Sequence, residues 1–95
     1  MINELRIKKI KKLLRDKRRL KRKARALEII LKTGLDSMEI EVMKSSGVLK
    51  AKLKAKYNTA GFHYSQHLGL MTRLETQTAE LEEEIEVLKN QQQNN

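Results

Sequence analysis

No cysteine, proline or tryptophan occurs in these 95 residues, and the only aromatics are Tyr57, Phe62 and Tyr64. Without cysteine, disulfides and thiolate metal sites are excluded and the redox compartment stays open. Without proline, no residue breaks a helix by removing a backbone donor, so helices can run long. The glycines Gly34, Gly47, Gly61 and Gly69 are isolated, which excludes a glycine-rich phosphate loop. Long apolar runs are missing as well. The N-terminus is charged but lacks the uninterrupted apolar core of a signal peptide, and no segment nears the ~20 apolar residues of a membrane span. The expectation is a protein of the cytoplasm, nucleoid or nucleus, not secreted and not on a membrane. A chain this short allows a single domain, 1–95, that buries roughly 65% of its unfolded surface.

What the chain has is positive charge, unevenly placed. The stretch KKIKKLLRDKRRLKRKAR, residues 8–25, holds twelve Lys or Arg and one acid, Asp16. Residues 1–56 carry 19 basic and 6 acidic groups, a net +13, whereas residues 57–95 carry 2 and 6, a net −4.

Hydropathy periodicity predicts a mainly α fold. Over residues 2–33, Ile10, Leu13, Leu20, Ala24, Leu27 and Leu31 follow three-four spacing and line one face of a basic amphipathic helix, with a stop at Thr33-Gly34. Over residues 62–90, Met71, Leu74, Thr78, Leu81, Ile85 and Leu88 form a coiled-coil seam on an acidic helix, and residues 91–95 are expected to fray. The two helices should fold back as an antiparallel coiled-coil hairpin, pairing Leu20 with Leu81 and Leu13 with Leu88. That register places the acidic run ELEEEIE, residues 80–86, beside Lys17 to Lys23.

The connector, residues 38–57, alternates with period two. Met38, Ile40 and Val42 interleave with Glu39 and Glu41, and Leu49, Ala51, Leu53 and Ala55 with Lys50, Lys52, Lys54 and Lys56. With a two-residue turn at Ser46-Gly47, this predicts a short β-hairpin whose apolar and charged residues face their counterparts. The alternative is two short helices resembling a helix-turn-helix, since Leu49, Leu53 and Tyr57 are also four apart and Asp36 with Glu39 fits a capping box.

For chemistry the chain offers little. His63 and His67 stand one helical turn apart, yet no third ligand is evident, so no metal is expected. Ser45, Ser46 and Ser65 have no oriented base, and the acids lie on solvated helix faces. No catalytic residue, cofactor or enzyme activity is expected. The functional weight falls on the basic residues, because twelve like charges in about five turns repel at one-turn separation by a few tenths of a kcal/mol per pair. Phosphates relieve that repulsion with release of counterions. The expected nucleic-acid contacts are Lys8, Lys11, Lys12, Arg15, Arg18, Arg19, Lys21, Arg22 and Arg25 on the helix, and Lys50, Lys52, Lys54 and Lys56 on the connector. The expected ligand is duplex DNA or structured RNA, since no aromatic interleaves the basic run to stack bases. The alternative is a coiled-coil scaffold that binds an acidic protein partner. A homodimer is also expected, because Ile7, Leu14 and Ile30 lie off the main stripe and need cover.

Overall fold

The structure is a computed structural model that describes residues 2–93, Gln93 by its backbone alone. Two helices account for all of these residues except Ser45 and Ser46: α1, Ile2–Lys44, and α2, Gly47–Gln93. They pack together as a two-helix hairpin, so the mainly α expectation stands. Of the expected frayed tail, residues 91–93 are helical. Residues 94 and 95 lie outside the described residues.

There is no strand among the described residues, and the β-hairpin at 38–57 is therefore corrected to helix on both sides of the turn. Composition explains why. The stretch LKAKLKAK consists of Leu, Lys and Ala, which favour helix and, for Lys and Ala, are depleted in strands. Its four-residue spacing places Leu53 and Tyr57 half-buried, while Leu49, Ala51 and Ala55 stay exposed. The alternative holds in placing helix on both sides of the turn, but the two helices are long and not short. Asp36 caps nothing and lies inside α1, paired with Lys32 at 3.3 Å.

The turn itself falls where the Ser-Ser-Gly signal is. The Val42 carbonyl, orphaned at the end of α1, accepts from the Ser45 amide at 3.3 Å and from the Ser45 hydroxyl at 2.9 Å. Gly47 then takes φ 64°, and Lys50 N–H donates to Ser46 O at 3.5 Å to open α2.

Gly34 does not stop α1, and Asn58, Thr59 and Gly61 do not interrupt α2. Thr33 and Thr59 bond back to the carbonyls of Ile29 and Ala55 at 2.8 and 3.1 Å, as hydroxyls do inside a helix. A Cβ at Gly34, Gly61 or Gly69 would meet nothing within 4 Å. Alanine at each is therefore expected to raise stability by about 1 kcal/mol in thermal melts. Gly47→Ala should lower it by about 1 kcal/mol, because only that glycine holds a left-handed backbone.

Two compact units divide the chain. In the first, made by Met1–Lys23 with Met71–Asn95, the described residues form an apolar cluster of Ile7, Ile10 and Leu14 from α1 with Ile85 and Leu88 from α2, against which Leu81 packs. Met71, Leu74 and Thr78 are buried on α2, whereas Lys17 and Lys21 take the corresponding α1 positions half-buried. The second unit, Ala24–Leu70, buries Ala24 and half-buries Glu28, Leu31, Leu35, Met38 and Val42 of α1 with Leu53, Tyr57, Ala60, Tyr64 and His67 of α2.

The α2 seam expected from sequence is the one observed. On α1 the seam is corrected. Its row runs 7, 10, 14, 17, 21, and Leu13, Leu20 and Leu27 lie outside it at 50%, 50% and 45% exposure. The pairings of Leu20 with Leu81 and Leu13 with Leu88 give way to the cluster of Ile7, Ile10 and Leu14 with those α2 residues. Phe62, at 61% exposure, lies on the surface.

Candidate nucleic-acid interface

The seam fixes where every other side chain of α1 points, because a helix has one rotation. With Ile7, Ile10, Leu14, Lys17 and Lys21 turned toward α2, Lys8, Lys12, Arg15, Arg19 and Arg22 recur in four-three steps on the far side. Lys11 and Arg18 lie between that row and the seam. All seven are exposed. The basic residues of 8–25 thus include an outward face and an inward pair, Lys17 and Lys21, so Lys21, expected as a phosphate contact, turns toward α2.

Acid from α2 neutralises little of this surface. Among the described residues there are two cross-helix ion pairs, Arg6 to Glu84 at 3.2 Å and Arg18 to Glu82 at 3.0 Å. Both are solvent-exposed, so each contributes about 0–1 kcal/mol. Their value is in orientation, since they mark opposite flanks of the seam. Of Lys17–Lys23, Arg18 forms an ion pair with the acidic run, residues 80–86. Among the described residues no ion pair reaches Lys8, Lys11, Lys12, Arg15, Arg19 or Arg22.

Two open grooves run along the basic flank of the first unit. One, about 500 Å³, is lined by Lys11, Leu14, Arg15, Arg18, Glu82, Ile85 and Lys89. The other, about 590 Å³, is lined by Glu4, Leu5, Ile7, Lys8, Lys11, Lys89 and Gln92. Lys89 thus joins Lys11 and Arg15 from the acidic helix, a neighbour the linear reading missed. The signal was present in the heptads: Lys89 is seven residues beyond Glu82, so it sits on the flank that Arg18 marks.

In the second unit Arg25 is exposed and lines a groove with Glu28, Ile29, Lys32, Thr33 and Tyr64. The neighbouring Lys32 is held above its ordinary pKa by its hydrogen bond to Asp36 and then by that carboxylate's charge. Whatever stability this adds is present below pH 10.5 and lost only as pH rises above it. The connector lysines do not form a row. On a helix Lys50 and Lys54 share one side, while Lys52 and Lys56 share another, all four exposed.

His67 is engaged in the fold, its Nε2 lying 2.7 Å from the Ala24 carbonyl across the seam. Since a carbonyl accepts, that nitrogen carries the proton. His63 is exposed, 6.0 Å in ring centroid from Phe62. Among the described residues no three His, Asp or Glu side chains gather as metal ligands, and no helix is long and apolar enough to cross a membrane. Comparison with protein-family models, with curated proteins and with solved structures gives no match.

Proposed function

We propose that this protein binds the phosphate backbone of a nucleic-acid duplex, DNA or structured RNA, through the outward face of α1, without catalysing a reaction and in the cytoplasm, nucleoid or nucleus. One observation carries the reading: Lys8, Lys12, Arg15, Arg19 and Arg22 share an exposed helix face and form no ion pair with an acid among the described residues. A row of cations at helical spacing along an uncovered face suits contacts to successive phosphates. Side chains of this type fix position on a duplex more than they read bases, so sequence preference should be weak. No aromatic residue interleaves the basic row from Lys8 to Arg22 to stack the bases of single strands, which favours a duplex.

The two cross-helix pairs favour a second reading, in which the same face docks an acidic helix of another protein. Arg15→Gln, Arg19→Gln and Arg22→Gln together separate the two, because glutamine keeps helix propensity while removing three charges. Loss of phosphate contacts should shrink the slope of log affinity against log salt by about three units. Lys50→Gln, Lys52→Gln and Lys54→Gln together, drawn from dispersed positions, should cost distinctly less. If the arginine variant keeps duplex affinity but loses an acidic protein partner, the nucleic-acid reading is wrong.

A further inference from the structure

We infer that a phosphate of the duplex backbone seats over the groove between α1 and α2 in the first unit, bridging Lys11 of one helix and Lys89 of the other with Arg15 beside them. The inference rests on the nucleic-acid reading and deepens it. It makes Lys89 of α2, an acidic helix as a whole, part of the contact.

The ion pair between Arg18 and Glu82, at 3.0 Å, fixes which residues meet on this flank of the seam. Lys11 is seven residues before Arg18, and Lys89 is seven residues after Glu82. In an antiparallel hairpin the next pair across is therefore lysine against lysine. Both lysines line the same two open grooves, of about 500 and 590 Å³, with Arg15 in the first and Lys8 in the second. All four cations are exposed.

Like charges facing across a seam repel, where the neighbouring heptad has an ion pair. Among the described residues neither Lys11 nor Lys89 is in an ion pair. The acids of the lining stand one heptad to either side, Glu4 before Lys11 and Glu82 before Lys89, and Glu82 is held by Arg18. Glu86, one turn before Lys89, lines neither groove. A phosphate between the two ammonium groups accepts from both, so repulsion becomes attraction and counterions are released. The groove floor is apolar, with Leu14 and Ile85 buried, so the anion is held at the rim. That suits a strand passing over the flank. Lys8 and Arg15 belong to the outward row as well, so the strand is continuous with the contacts of α1.

Lys89→Glu in the full chain tests this, because it moves binding and stability in different directions. It sets an acid opposite Lys11, as Glu82 is opposite Arg18, so the thermal melt should hold or rise. Affinity for a short DNA duplex at low salt should fall about tenfold or more, and the slope of log affinity against log salt should shrink by about one to two units. Lys89→Arg should keep the wild-type affinity. Lys44→Glu, in the second unit, makes the same change in net charge and should cost much less. Wild-type affinity in Lys89→Glu, an equal loss in Lys44→Glu, or a melt that Lys89→Glu shifts down would each overturn the inference. If Lys89→Glu binds as the wild type does while the variant lacking Arg15, Arg19 and Arg22 loses affinity, α1 binds without the groove and the proposed function stands alone. A wild type without duplex affinity would end both.

Discussion

Changing Ile85 to Asp should unfold the paired helices of the first unit. Ile85 is 7% exposed and belongs to the cluster of Ile7, Ile10, Leu14 and Leu88. Losing its burial costs about 1.5–3 kcal/mol. The carboxylate that replaces it must either be desolvated in that apolar cluster or turn out toward the cations of the adjoining groove, which opens the packing between the helices. Together these reach about 4 kcal/mol, most of the stability a chain of this size has to lose. Far-ultraviolet circular dichroism should show a large fall in helix and a melt shifted far down. Leu14→Asp, at 5% exposure, should do the same. Leu13→Asp, one residue away but outside the seam, should leave most of the helical signal in place. Equal losses from Leu13 and Leu14 variants would mean that the α1 seam has been misplaced.

The opposite effect is expected in the middle of the hairpin. Lys17 and Lys21 hold seam positions half-buried, in the unit where Met71, Leu74 and Thr78 are among the buried α2 residues. Each lysine lays its stem along that apolar surface and sends its ammonium out to water. Lys17→Leu with Lys21→Leu removes the need to escape and fills the seam, which should add about 2–4 kcal/mol and raise the melting temperature markedly. The same variant bears on function. Because neither lysine is on the outward face, duplex affinity should change far less than in the variant lacking Arg15, Arg19 and Arg22. A large affinity loss with no gain in stability would place Lys21 at the phosphate contacts after all.

How far the fold was legible depended on where each helix was taken to end. The α2 seam, from Met71 to Leu88, reads directly from sequence because its three-four spacing contains no competing row. On α1 two rows compete. Leu13, Leu20 and Leu27 are more apolar than Lys17, Lys21 and Ala24, so over residues 2–33 the leucine row dominates. Carry the helix through Gly34 and the balance reverses, since Leu31, Leu35, Met38 and Val42 continue the phase of Ile7, Ile10 and Leu14. The glycine cost of about 1 kcal/mol is small beside the burial of a heptad of apolar side chains. The period-two alternation of residues 49–57 misled for a related reason: Lys-Ala-Lys repeats alternate in polarity yet consist of helix formers. Which basic residues face outward was legible only once the seam was fixed, and a shift of one position moved Lys21 inward and brought Lys89 alongside Lys11.

The central claim is that the outward row of α1 contacts phosphates, and the salt dependence of wild-type binding to a short duplex addresses it most directly. Five to seven cations at phosphates should give a slope of log affinity against log salt of about −4.5 to −6.3 on DNA. Duplex should also be preferred to heparin at matched salt, since helical spacing suits one polyanion better than another. A slope near zero, or no measurable affinity for duplex DNA or RNA at low salt, would contradict the account.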